Sequence, residues 1–313
     1  VSQAHKNPNN TFLDVRSLIM DESKDMINIP AMNKEISVTE LASHFFRNVH
    51  NQIKAQVGAP VRDCVVSVPA QLCADGPGKT RLIEAAKEGG CRIKSTIDDA
   101  SSVLTAHGLD DKKKNPMRVV VADMGWSSTT LSIFDVSGGM YHPKGSSVVT
   151  EVCGKVLVEA LVSFCVKDFM RKCKVDCSDY KKSMVMLRRE CENGMRSLST
   201  GSEAMIDIAS LCEGMDYSAK ISKPRFEDMC NIPLIHLKKA MAALLEKAGV
   251  EDVSVSGVLM AGGLSGVPKC AQIVKALFPK AEMIRTRSLD QNEAQCYGAA
   301  LQGSYLITAQ ILD

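Results

Sequence analysis

Apolar residues recur every four positions from Leu41 through Phe45, Val49 and Ile53 to Val57. That single stripe predicts an amphipathic helix over 38–57. Ser37 with Glu40 three residues later forms a capping box, and Gly58 offers a stop. The stretch 64–68, closed by Pro69, reads as a buried strand. Helices are expected over 79–88, where Gly89 and Gly90 end the pattern, and over 99–107. The charged run 110–116 breaks the periodicity and reads as a solvated loop between two blocks.

The second block opens on a continuous apolar strand at 119–122. A second strand at 130–136 and the turn Ser137-Gly138-Gly139 lead into a third. Helices are expected over 156–172 and 181–198. Ala204, Ile206 and Ile208 alternate against Asp207, as a half-buried strand does. Ser222 is a candidate cap for one helix over 224–247. A buried strand at 258–260, a tight turn at Gly262-Gly263 and a helix over 268–277 with Pro268 in its first turn follow. A last helix is expected over 292–306. No short-period repeat occurs. Strands alternating with helices indicate the α/β class. The loop near Asp110 divides the chain into expected domains 1–110 and 111–313.

Composition narrows the function. The 313 residues suffice for two domains. Hydrophobic residues make up 45 %, charged residues 24 %, and the net charge is +2 with both signs interspersed. That balance argues against a strongly electrostatic nucleic-acid binder, though not against a local basic patch. No apolar run approaches the ~18 residues of a membrane span, and no secretory signal is visible. The chain opens on Val1 rather than Met, so its natural N-terminus is expected to lie outside this sequence. The 12 cysteines are scattered without a CxxC pair, and Cys64, Cys165, Cys230 and Cys270 have apolar neighbours. They read as reduced, mostly buried thiols of a cytoplasmic protein. The six histidines and these cysteines show no zinc-ligand spacing.

Three segments carry candidate chemistry. Gly76-Pro77-Gly78-Lys79-Thr80 mimics the end of a phosphate-binding P-loop, but the glycine required five residues before Gly78 is Cys73. It reads as a turn before a helix. Asp123-Met124-Gly125 follows an apolar strand and precedes Trp126, Ser127 and Ser128. An Asp at a strand end can hold magnesium, and a Gly and a hydroxyl beside it can meet phosphate. The segment 260–269 joins a strand to a helix through Gly262-Gly263 and Pro268, which suits close approach of a nucleoside to backbone. Each alone is also compatible with a structural turn.

Together, and in order, these segments resemble the ATPase domain of the heat-shock 70 chaperone family. Asn7-Pro8-Asn9-Asn10-Thr11 through Arg16-Ser17-Leu18-Ile19 looks like its NPxNT…RLI segment. Val65-Val66-Ser67-Val68-Pro69-Ala70 looks like VVTVPA, and Ile97-Asp98-Asp99-Ala100-Ser101-Ser102 stands where the family has INEPTAA. Cys191-Glu192, Arg196 and Leu198-Ser199 match CExxKRxLS. Glu213-Gly214-Met215-Asp216 with Arg225-Phe226-Glu227 matches EGxDF…RFE, and Glu293-Ala294 with Tyr297-Gly298-Ala299-Ala300 matches EAxxYGAA. The resemblance covers nearly the whole chain.

It implies an actin-like (ribonuclease H-like) two-lobed ATPase fold, here N-terminally truncated. Residues 1–110 would be a remnant of lobe I. Residues 111–313 would be lobe II with the returning C-terminal helix. The implied cofactor is ATP or ADP with Mg2+. Asp123 takes the magnesium-side position, Gly125 opens the phosphate loop, and Ser128 stands for a hydroxyl-bearing Thr. Asp99 replaces a catalytic Glu with a carboxylate one methylene shorter. Glu192, Arg196 and Ser199 match the adenosine-side helix, and Gly262 and Gly263 the adenosine loop.

The departures are equally informative. The family's first phosphate loop is expected to precede Val1, and its catalytic Lys position falls at or before Val1. Trp126 and Ser127 replace two phosphate-loop glycines, so a Cβ and an indole stand where backbone must approach phosphate. Cys153 and Lys155 replace a Gly and a Glu, Gly266 an adenine-stacking Arg, Met195 a Lys, and Pro77 an interlobe Arg. The stretch between Ile19 and Val38 is shorter than the family's. Such changes are similar to those of the heat-shock 110 exchange factors and of a ribosome-associated heat-shock-70-like branch. The resemblance therefore implies a co-chaperone with weak or lost hydrolysis. Its partners would be other chaperones or J-domain co-chaperones, with no nucleic acid, membrane or client-peptide clamp. The alternatives are a competent chaperone ATPase and a nucleotide exchange factor of the 110 type.

Overall fold

The Asp14 carboxylate accepts from the Ser17 amide at 3.0 Å and so starts helix α1, Val15–Met20. The computed structural model describes residue 7 and residues 10–12, 14–111, 115–286 and 289–312. Pro8, Asn9 and Lys112 to Lys114, which belong to the NPxNT segment and the charged loop, lie outside them. Strands β1 (Met26–Ile29) and β2 (Lys34–Ser37) pair antiparallel and lead into α2, Val38–Val57. The serine half of the expected box is present: Ser37 Oγ accepts from the Glu40 amide at 3.0 Å, while the Glu40 carboxylate pairs with Lys34 at 3.4 Å, and Gly58 ends the helix at φ +76°. Strand β3 is Asp63–Val68. Helix α3, Pro77–Glu88, starts two residues before the expected 79 because Pro77 is pre-organised for the first turn. The P-loop mimic is thus the entry to a helix, and Lys79 Nζ donates to the Cys73 carbonyl and the Asp75 carboxylate, both at 3.0 Å. Strand β4 (Arg92–Asp98), absent from the sequence reading, pairs parallel with β3. Asp98 caps α4 (Asp99–Ala106), accepting from the amides of Ala100 and Ser101.

The apolar run near 120 becomes β5 (Met117–Met124). It pairs antiparallel with β6 (Thr129–Ser137), which pairs with β7 (Met140–Val149). Helices α5 (Gly154–Cys173) and α6 (Lys181–Thr200) follow, then the hairpin β8 (Glu203–Cys212) and β9 (Met215–Ser222). Ala204, Ile206 and Ile208 face inward as the alternation requires. The single helix expected over 224–247 is two helices, α7 (Lys223–Met229) and α8 (Asn231–Ala248). Pro233 has no N–H to bond back to Met229, so the helical ladder restarts at Cys230. Ser222 holds the cap position of α7, but its side chain accepts no bond there. Pro224 removes one of the amides that a cap hydroxyl reaches. Strand β10 is Gly257–Ala261, α9 is Pro268–Leu277, β11 is Glu282–Met283, and α10 is Ala294–Leu312.

The chain divides into two compact units. One takes the described residues of Asn9–Leu109 and Glu293–Asp313; the other includes those of Asp110–Asn292. In the first, Ile19, Val38, Ala42, Val68, Leu72, Leu82 and Ala85 form a core beside the β3–β4 pair. Helix α10 packs on α4, where Ser102 Oγ donates to the Gln295 carbonyl at 2.6 Å. In the second, a mixed sheet of order β11-β10-β5-β6-β7 carries the large core. Leu131, Leu157, Leu161, Phe169, Leu187 and Ile206 are among its fully buried side chains. No helix among the described residues is long and apolar enough to cross a membrane.

Candidate functional site

Strands β5 and β10 run parallel, with Ala261 beside Asp123, so their carboxyl ends open at the same edge. Ligands of open α/β sheets bind outside such ends. Asp123 is only 5 % exposed there. Gly262 has φ +79°, and a Cβ on it would lie 2.5 Å from the Met124 carbonyl oxygen and 2.9 Å from Asp123 Oδ1. Only glycine lets the turn after β10 pass this close to the Asp123 carboxylate. The turn is pinned by the Gly262 amide, which donates to the Gln291 carbonyl at 3.1 Å. Ser265 Oγ lies 2.6 Å from the Gly262 carbonyl and 2.7 Å from Gln291 Oε1. Gly263 opens a 3-10 turn through Gly266, and the space a Gly266 Cβ would occupy is empty within 4 Å.

The other turn at this edge, residues 125–128, joins β5 to β6. The Gly125 amide donates to the Ser128 carbonyl at 3.0 Å and closes it. Its outward carbonyls are also engaged. The Gly154 amide donates to Gly125 O at 3.0 Å, and the Lys155 amide donates to Trp126 O at 2.9 Å. The first amides of a helix are its natural anion donors. In α5 the first two point into the loop instead. Trp126, 43 % exposed, lies against Gly154, where a Cβ would be 2.8 Å from the indole Cε3. Nearby, the Glu151 carboxyl is held below its ordinary range by the backbone amides of Glu151 itself and Thr150. It adds a negative charge just before α5.

Asp123 and the glycine turn thus fit a hydrated cation and a nucleoside. Beside the loop 125–128 two candidate phosphate donors, the amides of Gly154 and Lys155, are engaged by its own carbonyls, and Trp126 and Ser127 stand where the resemblance expects glycines. On α6, Arg196 Nη2 pairs with Glu192 Oε1 at 2.5 Å, one helical turn apart. Ser199 Oγ donates to the Met195 carbonyl at 3.3 Å. These three candidates share one helix, with Arg196 paired to Glu192 and Ser199 bonded back to the helix backbone.

Asp99 belongs to the first unit, as the first residue of α4. It is 3 % exposed and accepts from Arg16 Nη2 and Ser67 Oγ, both at 2.6 Å. Its carboxylate ties α1 to the end of β3. Asp123, Gly125, Ser128, Gly262 and Gly263 therefore gather at one sheet edge, Glu192, Arg196 and Ser199 on α6, and Asp99 in the other unit. Arg16, Ser67, Gly154 and Gln291 join these sites without having been singled out as site residues. Arg16 and Ser67 stand inside motif segments, which was the available signal. Nothing local in the sequence marks Gln291 as a partner of Gly262.

The family model described as Hsp70 protein matches residues 2–311. The chain is 27 % identical to heat shock cognate 70 kDa protein 3 of Dictyostelium discoideum, over 91 % of this chain and 45 % of that protein. It is 26 % identical to a heat shock 70 kDa protein of Emericella nidulans, over 97 % and 50 %. It is also 26 % identical to heat shock 70 kDa protein 2 of Paracoccidioides lutzii, again over 97 % and 50 %. The chain spans about half the length of these curated relatives. The two-unit α/β architecture with a mixed sheet is the actin-like fold of the family's ATPase domain, whose members bind ATP or ADP with Mg2+. By sequence match across nearly its entire length, this chain belongs to the Hsp70 family of chaperones.

Proposed function

We propose that this chain is an Hsp70-type nucleotide-binding domain that works as a regulatory partner in protein folding, with ATP hydrolysis weak or lost. The observation that carries the reading is the closed loop 125–128. Its carbonyls take the first two amides of α5, and Trp126 covers Gly154. Phosphoryl transfer depends on positioning and on donors aimed at the phosphates. Removing one such donor from a preorganised site costs about 2.7–4 kcal/mol, ~100–1000-fold in rate. Here two candidate donors are turned away together, though such effects need not add.

Asp123 would remain the magnesium-side carboxylate, and Gly262 and Gly263 would admit the adenosine. Glu192, Arg196 and Ser199 would flank it from α6, with the Glu192–Arg196 pair opening to do so. When bound, Mg2+ would neutralise phosphate charge at Asp123. Asp99, already bonded to Arg16 and Ser67, would hold its own unit together rather than move a proton. The partners this reading favours are other chaperones or J-domain co-chaperones, including ribosome-associated ones, in the cytoplasm.

Single-turnover hydrolysis of MgATP by the chain, against a protein-free blank, tests the proposal. The expected rate is that of the blank. Turnover clearly above it would contradict the regulatory reading and favour the competent ATPase.

A further inference from the structure

Buried in the second unit, α5 and α6 bring two thiols into contact. Cys191 Sγ–H donates to Cys165 Sγ across 3.9 Å, and both residues have zero exposure. They lie in the core among Leu161, Leu187 and Leu198. Closing a disulfide bond of ~2.05 Å from this separation asks each sulfur to move by roughly 1 Å. No disulfide joins any of the 12 cysteines in this structure. Cys177 and Cys212 share the same core cluster.

The two thiols are not equivalent. The hydrogen bond from Cys191 holds the Cys165 thiol below its usual range against the opposing effect of burial. The same bond, together with burial, pushes the Cys191 thiol up. In the same core, the Tyr217 hydroxyl donates to the Asp168 carboxylate at 3.2 Å. Lys172 Nζ lies 2.7 Å from the same carboxylate. A thiolate at Cys165 thus has the Cys191 thiol beside it as a proton donor. A thiolate with a neighbouring resolving thiol is the arrangement that peroxide oxidises to a disulfide once solvent reaches it.

We propose that Cys165 and Cys191 form a peroxide-sensitive dithiol whose oxidation cross-links α5 to α6. The Cys165 thiolate attacks a peroxide oxygen, the O–O bond breaks, and a sulfenic acid and water result. Cys191 sulfur then attacks the Cys165 sulfur and displaces a second water. Two thiols lose two electrons and two protons; hydrogen peroxide gains both and leaves as two waters. Because both sulfurs are buried, opening of the core around α6 gates the reaction, which is slow in the closed fold and faster on warming. The pairing does not depend on whether the chain binds nucleotide.

The test uses the full chain with hydrogen peroxide, below its unfolding transition. The reaction is quenched by alkylating free thiols and followed by peptide mass mapping without reductant. The expected product joins the peptide holding Cys165 to the one holding Cys191, two hydrogen masses lighter than the pair, and dithiothreitol reverses it. The oxidised protein should melt several degrees higher, since a closed loop of this length restricts the unfolded chain. Cys165→Ser and Cys191→Ser should each abolish the linked peptide. Recovery of both residues as alkylated thiols while other cysteines are oxidised would overturn the proposal. So would a linked peptide pairing either one with Cys177 or Cys212. Both outcomes are read on the unsubstituted chain, so they stand even if a variant folds poorly.

Discussion

Trp126 lies across Gly154: a methyl group at 154 would come within 2.8 Å of the indole Cε3 and 3.3 Å of the Trp126 Cα. The residue that departs furthest from the family's glycine-rich loop is therefore accommodated by a glycine 28 positions later. Together they shut the loop onto the start of α5.

That contact predicts a coupled pair. Gly154→Ala alone should destabilise the second unit by about 1–3 kcal/mol, the range for forcing an atom into a packed site. In a Trp126→Ala background most of that loss should vanish, because the ring is gone and only the 3.3 Å backbone contact remains. Urea unfolding of the four proteins of the cycle measures it. Additivity within about 0.5 kcal/mol, as for sites that do not touch, would show that ring and glycine do not meet.

Local signals made much of the fold legible. The stripe from Leu41 to Val57, bracketed by Ser37 and Gly58, specifies α2 on its own terms. The apolar run before Asp123 does the same for β5. The break at Cys230 needed attention to one missing amide at Pro233, which a periodicity count passes over. Strand β4 escaped because Arg92, Lys94 and Ser95 dilute its apolar alternation with Ile93 and Ile97. The site was less legible. Motif matches named Asp123 and Gly262, but their contact depends on the pairing of Asp123 with Ala261, 138 positions away. The Arg16–Asp99 ion pair likewise spans 83 positions, and no local pattern carries that information.

Gly298 should tolerate no side chain. A Cβ there would overlap the Ser102 carbonyl oxygen, where α10 packs on α4. Backbone cannot yield as a flexible side chain does. Gly298→Ala should cost the first unit about 3 kcal/mol or more, beyond ordinary overpacking. Thermal unfolding and limited proteolysis near the C-terminus would register it. A variant within about 0.5 kcal/mol of its parent, the range of a neutral surface change, would mean that α10 is not seated on α4.

Asp168 predicts a pH signature. Burial works against its charge, but hydrogen bonds from Lys172 and Arg171 hold its carboxyl below the ordinary 3.8. A depressed folded-state pKa adds stability above the unfolded value, and that stability is lost as pH falls through the folded value. Asp168→Asn should thus cost about 1.5–3 kcal/mol near neutrality, the range for charged hydrogen bonds. The difference from the parent should shrink steadily below about pH 4. Urea midpoints measured from about pH 7 to about pH 2, a span that brackets the carboxylate titration, test this. A gap that stays constant over that range would remove the ionic contribution.

Calorimetric titration with MgATP and with adenosine, on the parent and on the Trp126→Gly, Ser127→Gly variant, bears most directly on the closed phosphate loop. With the α5 amides turned into the loop, the triphosphate should contribute little. The parent should bind MgATP no more than about tenfold tighter than adenosine, a difference of ~1.4 kcal/mol. Opening the loop with two glycines should tighten MgATP and leave adenosine unchanged. A parent chain that binds MgATP a hundredfold or more tighter than adenosine, with Trp126 in place, would contradict the account.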